Sequence, residues 1–351
     1  MIKICFPFVG DSFGGSHKSS ILLIEHLDKA KFEPVIVLHK KGKLSEYLDN
    51  KKIEYKYLHM KHLAGSEPKI VKIILNIIFN FFKLFHFIKT NKINIVHSND
   101  LRCNLTWSLP SKISCKHIWH QRTQISNSKI WKIVPYITNR IIFISKSIEK
   151  WENHKSKIVY NPFQIQSFEK NNEKQNIIKN YNINKNYKLI ISVVGRIEID
   201  KGIETIIKIA KMIPDAMFLI IGNNLYKGSF PENTKIINFI DDVERVIAGC
   251  DLLLSASLKE GFGRSVVEAM LVETPVVAAN IPSYNEISTS KKYLNLVENN
   301  SPKYFVNKIN QVIEEIDVKR ENYISARIFA ENKFSLSEHI SRMENIYESL
   351  S

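Results

Sequence analysis

The sequence predicts an α/β protein of two doubly wound domains, each a parallel sheet wrapped by helices. Three observations carry that expectation. Short apolar runs of strand length alternate with longer helical patterns along most of the chain, the signature of successive strand-helix-strand units. A stretch rich in Asn, Lys and Gln with few apolar residues, 164–186, interrupts the alternation near mid-chain, after which it restarts. The length of 351 residues favours about two domains.

Residues 2–9 read as a buried strand. Gly10, Gly14 and Gly15 turn it into a helix over 16–27. Gly10 and Gly15 have the spacing of a P-loop, but Ser16-His17 stand where Lys and then Ser or Thr are needed, so an ATPase loop is excluded. No G-x-G-x-x-G is present, which removes the nicotinamide fingerprint. Residues 34–39 and 53–58 are the next strands. Residues 70–88 form a long apolar helix with one narrow polar stripe of Lys72, Asn76, Asn80, Lys83 and His86. Those interruptions argue against a membrane span. The expectation is burial between the sheet and neighbouring helices. The alternative lays part of the apolar face on a membrane, helped by Lys69, Lys72, Lys83 and Lys89.

Strands over 93–97 and 116–120 end in His97 and His120. Ligands of open α/β sheets gather at the carboxyl ends of strands, so both histidines are site candidates. His117 and His120 belong to no wider metal-ligand pattern. A strand over 140–145 and a short helix over 146–152 follow, and Val159-Tyr160-Asn161-Pro162-Phe163 closes the first domain. The divisions are therefore a first domain over 1–163, a linker over 164–187, a second domain over 188–334 and a final helix over 335–351.

In the second domain, residues 189–195 form a strand, Arg196 stands at its end, and Lys201-Gly202 opens a helix through 212. Two cations beside a helix N-terminus make a diphosphate clamp. Because that terminus disfavours cations, Lys201 there implies a compensating anion. Strands over 216–222 and 235–240, a helix over 243–249 and the apolar run Leu252-Leu253-Leu254 lead to the densest motif, Glu260-Gly261-Phe262-Gly263-Arg264-Ser265. Its glycines allow close approach of the backbone to a ligand. From Arg264 a helix begins with Val266, Val267 and Met270 inward, and its first N–H groups form an anion site. Glu260 and Glu268 straddle that site and can each hold sugar hydroxyls. A strand over 275–279 and three helices, over 302–316, 320–332 and 335–350, complete the chain.

The four cysteines, Cys5, Cys103, Cys115 and Cys250, form no C-x-x-C pair, which argues against zinc and a disulfide framework and suits a reducing cytosol. The first residues enter a strand directly, with no secretory leader pattern. A net charge of +15 favours phosphates or an acidic membrane surface. Nucleic acid is not an expected partner, for no nucleic-acid module is recognisable.

The spacing Glu260-x7-Glu268 inside Glu-Gly-Phe-Gly resembles the motif of retaining glycosyltransferases of the GT-B fold, family 4 type. Phe13-Gly14-Gly15, His120, Gly195-Arg196, Lys201-Gly202 and a helical C-terminus follow that family's order. The resemblance implies two Rossmann-like domains facing a cleft, with the last helix crossing back to the first. It implies metal-independent transfer of a sugar, with retention, from a UDP- or GDP-linked donor that is substrate rather than cofactor. Catalytic roles fall on Glu260, His120, Arg196 and Lys201. Donor binding falls on Gly14, Gly15, Gly261, Phe262, Gly263, Arg264, Ser265 and Glu268, with Glu268 on the ribose hydroxyls. The implied acceptor is a glycan or lipid-linked glycan in cell-surface polysaccharide synthesis, such as lipopolysaccharide or capsule. The implied setting is the cytoplasm, peripheral on the inner face of the cell membrane. A GT-B nucleotide-sugar epimerase and a non-catalytic glycan- or membrane-binding protein are the alternatives. The sequence departs from the family over 223–234, where the usual helix is missing, and at Phe239-Ile240-Asp241-Asp242, where a glycine is expected. The nucleotide base is left open there.

Overall fold

The computed structural model describes residues 1–64, 70–125, 129–151, 153–289 and 293–351. The chain forms two compact units, Met1–Pro162 with Leu336–Ser351, and Phe163–Ser335.

The first unit is built on a seven-stranded, all-parallel sheet. Its strands are β1 (Ile2–Phe8), β2 (Phe32–Leu38), β3 (Lys56–Tyr57), β4 (Ile95–Ser98), β5 (Lys116–Gln121), β6 (Arg140–Phe143) and β7 (Ser156–Ile158), in the order β3-β2-β1-β4-β5-β6-β7. Alternate residues of β1 feed two cores: Ile4, Phe6 and Phe8 join one layer, Cys5 the other. This burial on both faces is why parallel strands read as unbroken apolar runs. The final helix, Leu336–Glu348, belongs to this unit and packs Met343 and Tyr347 into the first of those layers. Glu344 accepts from the Asp28 amide, and Glu348 pairs with Lys31 at 3.0 Å.

The second unit holds a six-stranded parallel sheet of β8 (Leu189–Val194), β9 (Ala216–Ile221), β10 (Thr234–Ile237), β11 (Leu252–Ser255), β12 (Val276–Ala279) and β13 (Asn295–Val297), ordered β10-β9-β8-β11-β12-β13. Both sheets are doubly wound. Their strand order reverses between β1 and β4 and between β8 and β11, the topological switch points where ligands of this architecture bind. The two segments by which the chain changes unit run side by side: Phe163 N donates to Phe334 O at 3.1 Å.

Several sequence expectations need correction. The connection over 164–186 contains a helix, Lys170–Asn180, which buries Ile177 and Glu173. Glu173 is held there by Arg245 at 2.9 Å, so a polar composition conceals a packed element. The short helix over 146–152 is a 3-10 turn, Lys146–Ile148, and Glu152 lies outside the described residues. The strand over 53–58 shrinks to Lys56–Tyr57. No helix intervenes between β9 and β10, as the sequence indicates. Buried Asn233 closes that connection by donating to the carbonyls of Ala210, Ile213 and Ala216.

The largest correction concerns the apolar helix, Ile70–Thr90. The middle of its polar stripe faces the protein: Asn76 donates to Leu63 O, Asn80 to His62 O and Lys83 to His59 O, while Lys72 and His86 are exposed. The apolar side is turned outward. Val71, Ile74, Leu75 and Ile78 are exposed, Phe79 is 89% exposed and Phe82 76%. Leu84 and Ile88 alone among its described residues are fully buried, near the C-terminal end. The carbonyls of 59–63 need donors, and the stripe supplies them, so hydrogen bonding sets the helix rotation. Lys69, invoked beside this helix, lies outside the described residues.

Candidate functional site

In the second unit the site is assembled at the β8/β11 switch point. β8 runs into Gly195, whose φ of +152° lets the backbone turn, and Arg196 follows, exposed. A small pocket is lined here by Gly195, Arg196, Lys201, Leu254, Ser255 and Ser257 among others. Lys201 ends a 3-10 turn, Ile199–Lys201, and the α-helix proper is Ile203–Met212. Between them Gly202 has a φ of +74°, and a Cβ there would lie 2.0 Å from the Ala256 carbonyl oxygen. Only glycine lets this turn pack against the end of β11.

The compensating anion implied for Lys201 is supplied by the chain itself: its Nζ is 2.6 Å from Glu260 Oε1. Ser257 Oγ donates to the same carboxylate at 3.0 Å. Arg196 pairs with Glu198 at 2.9 Å and Lys259 with Asp200 at 2.8 Å. Each cation at the pocket therefore already faces a carboxylate. An incoming anion exchanges partners rather than filling an uncompensated positive hole.

The motif helix is Arg264–Leu271, with Val266, Val267 and Met270 buried as its periodicity predicts. Gly263 caps it with a φ of +106°, its α-carbon pressed against Tyr284, so a Cβ would approach that ring to 2.4 Å. The Tyr284 hydroxyl bonds Ser255 Oγ at 2.7 Å, and burial raises its pKa strongly. Gly261 and Ser265 are half-buried around this helix start. Glu268 is buried and pairs with Arg264 at 3.2 Å. The Arg264 guanidinium lies 4.3 Å from the Phe163 ring centroid. Phe262, a candidate donor contact, is buried against Phe163 and Phe334. Its side chain packs in this aromatic cluster.

Gly14, Gly15 and His120 lie in the first unit, at the carboxyl side of its sheet. Gly14 caps the helix Gly15–His26 in an extended conformation, with open space where a Cβ would stand. Its lack of a side chain is not demanded by backbone geometry. His120 is fully buried, and its Nδ1 is 3.0 Å from His97 Nε2. His97 Nδ1 is in turn 2.6 Å from the Tyr347 hydroxyl. Burial and the nearby Arg122 hold both histidines well below their ordinary pKa, so both are neutral.

Sequence reasoning passed over several groups at this sheet end. Arg122, two residues beyond His120, is buried and donates to Asn99 Oδ1, Asn161 Oδ1 and Ser20 Oγ. His17 packs beside Phe8 and Phe13, and burial lowers its pKa to about 4. The signal was available for Arg122 and Asn99, since each directly follows a strand that ends at the switch-point side. Among the described residues, no group of three or more His, Cys, Asp and Glu is arranged to hold a metal ion.

Residues 173–328 match the family described as Glycosyl transferases group 1. An uncharacterized 41.2 kDa protein in the cps region of Klebsiella pneumoniae is 27% identical over 296 residues, covering 75% of this chain and 80% of that protein. The O-antigen biosynthesis glycosyltransferase WclY of Escherichia coli is 21% identical, covering 95% of this chain and 90% of that protein. Among solved structures, Anabaena HepE in complex with UDP and glucose superimposes with a TM-score of 0.82 at 18% identity, covering 100% of both chains. That likeness identifies the fold as GT-B.

Proposed function

We propose that this chain is a retaining glycosyltransferase. It moves a sugar from a nucleotide-diphosphate sugar to a glycan or lipid-linked glycan acceptor in cell-surface polysaccharide synthesis. The observation that carries the reading is the set of charged groups at the β8/β11 switch point: Arg196 and Lys201 line the pocket, Glu260 pairs with Lys201, and Arg264 and Glu268 pair at the start of the helix that follows β11. The names of WclY and HepE support the substrate class.

In this reading Arg196, Lys201 and the amides from Gly263 onward hold the diphosphate. Negative charge grows on the leaving phosphate as the sugar departs, and Arg196 and Lys201, having exchanged Glu198 and Glu260 for the diphosphate on binding, stabilise it. Glu260, exchanging Lys201 for sugar hydroxyls, holds the transferred sugar, and Glu268 holds the ribose. A phosphate oxygen of the departing nucleotide takes the proton from the acceptor hydroxyl on the same face of the sugar, which retains configuration. No metal ion is required, because the fixed cations supply the charge. Calorimetric titration with UDP, GDP and ADP, with and without magnesium, tests this. One diphosphate binds equally in both conditions and loses affinity in Glu268→Ala. Magnesium-dependent binding, or none to any of the three, overturns it.

The setting is the cytoplasmic face of the membrane. Asn76, Asn80 and Lys83 fasten the middle of the helix Ile70–Thr90 to the segment before it, which favours a helix held against the first unit with its apolar side on the lipid surface. Its outward row of Val71, Leu75, Ile78, Phe79 and Phe82 offers an exposed apolar face of the kind that inserts into a lipid interface, and the helix carries lysines and no acid. The charge of +15 favours an anionic surface. Sedimentation with phosphatidylglycerol vesicles checks the assignment: Phe79→Ser with Phe82→Ser lowers binding by about 10-fold or more. Equal binding by the double variant sinks it.

A further inference from the structure

Three buried groups of the first unit form a hydrogen-bonded chain. Tyr347 comes from the final helix, His97 from the end of β4 and His120 from β5. The contacts are Tyr347 Oη to His97 Nδ1 at 2.6 Å and His97 Nε2 to His120 Nδ1 at 3.0 Å. His120 Nε2 is buried and has no partner among the described residues.

A neutral imidazole has one N–H and one acceptor nitrogen, so the chain can run in only two directions. In the first, Tyr347 donates to His97 Nδ1. His97 then carries its proton on Nε2 and donates to His120 Nδ1, which leaves His120 with Nε2–H. In the second, His120 carries Nδ1–H and donates to His97, and His97 donates to the Tyr347 oxygen. The phenolic O–H must then find another acceptor. Among the described residues Tyr347 has no hydrogen-bond partner besides His97. The second direction buries an unmet O–H as well as an unmet nitrogen lone pair, and the first leaves a single N–H to be met by a ligand. Unmet buried donors are strongly disfavoured, so the first direction prevails.

We infer that Tyr347, acting through His97, fixes His120 as the Nε2–H tautomer, making it a hydrogen-bond donor toward a ligand oxygen and not a base. Tyr347 and His97 are thus positioning residues. Their effect on a sugar hydroxyl rests on the transferase reading, whereas the tautomer itself does not. The contrast with His39 shows what a satisfied histidine looks like in the same unit. Its Nδ1 donates to Leu58 O and its Nε2 accepts from Trp107, leaving nothing to offer.

The test is long-range proton-nitrogen correlation on protein labelled with nitrogen-15 in histidine, recorded without substrate. His97 and His120 both show a pyrrole-type Nε2 and a pyridine-type Nδ1. In folded Tyr347→Phe the His120 signals shift toward a mixture of tautomers. A native His120 with the proton on Nδ1, or unchanged His120 signals in Tyr347→Phe, overturns the inference. Should Tyr347→Phe not fold, His97→Gln and His97→Leu decide. Glutamine keeps an acceptor and a donor and preserves the His120 pattern, and leucine abolishes it. Preservation in His97→Leu is the contrary result. Because no donor or acceptor is added, failure of the transferase reading leaves this readout intact.

Discussion

Lys201 and Glu260 form an ion pair 2.6 Å long at the mouth of the second sheet's switch point, each side chain about one-fifth exposed. Two strands and two α-helices separate β8 from β11 in sequence, yet Lys201 and Glu260 both hang from the carboxyl ends of these adjacent strands. The pair is neutral in total and divisible: a diphosphate competes for the ammonium and a sugar hydroxyl for the carboxylate. Glu260→Gln removes the competitor at Lys201 while keeping the side-chain shape. Nucleoside diphosphate affinity therefore holds or rises, while turnover falls by about 100-fold, the scale of losing a polar group that acts in the transition state. Calorimetry and initial-rate measurements on the same preparation separate the two effects. A parallel loss of both would show Glu260 to be only a prop for Lys201.

Arg196 differs from Lys201 in being mostly exposed, with Glu198 as its partner. An exposed pair contributes little to stability, on the order of 0–1 kcal/mol. Arg196→Ala should leave the melting temperature nearly unchanged and lower kcat by about 100-fold or more if the guanidinium meets charge on the leaving phosphate. Full transfer activity in this variant would remove Arg196 from the clamp.

Two glycines separate architecture from ligand approach. At Gly202 an alanine meets both a left-handed φ of +74° and the Ala256 carbonyl 2.0 Å away. Gly202→Ala should destabilise the second unit by on the order of 2–4 kcal/mol. At Gly14 the backbone is extended and the space open. Gly14→Ala should change stability by about 1 kcal/mol or less, the range for an N-cap substitution. Any large loss of activity in Gly14→Ala then reports ligand approach, and thermal melts alongside rates distinguish the cases. Wild-type stability in Gly202→Ala would contradict the geometry of the turn.

These sites show what could be read from sequence and what could not. The strands β1, β8, β9, β11 and β12 were legible because parallel strands buried on both faces leave continuous apolar runs. The helix from Arg264 was legible from glycine punctuation and periodicity. The helix Ile70–Thr90 was read the wrong way round, since a polar stripe marks a side without saying what that side meets. Its meaning depended on the bare carbonyls of 59–63, which lack any sequence signature. The bond between His97 and Tyr347 joins residues 250 positions apart. No local pattern encodes it, because Tyr347 reaches His97 only through the return of the final helix to the first unit. Phe262 adds another such case: its packing against Phe163 and Phe334 joins three aromatics distant in sequence.

Acid should expose the first unit's reliance on neutral histidines. His39, His97, His117 and His120 are all fully buried. Burial is the leading cause in each case, taking His39 to about 4, His117 to about 3, and His97 and His120 well below 6.5. A histidine whose folded pKa lies under its unfolded value binds fewer protons when folded. Its contribution is complete above the unfolded value near 6.5 and is lost as pH falls toward the folded value. Each such group can remove about 1.4 kcal/mol per pH unit below 6.5, and between 6.5 and 4 all four act together. All four tryptophans, Trp107, Trp119, Trp131 and Trp151, lie in the first unit, so their fluorescence follows its unfolding. Urea titrations from pH 8 to pH 5 should give a flat midpoint down to about pH 6.5 and a steep decline below it. Tyr347→Phe should lower the plateau by about 1–3 kcal/mol, the expected loss when a buried hydrogen-bond partner is removed. A midpoint constant down to pH 5 would mean that the buried rings are protonated or solvated in the folded state, and the neutral Tyr347–His97–His120 chain would fall with it.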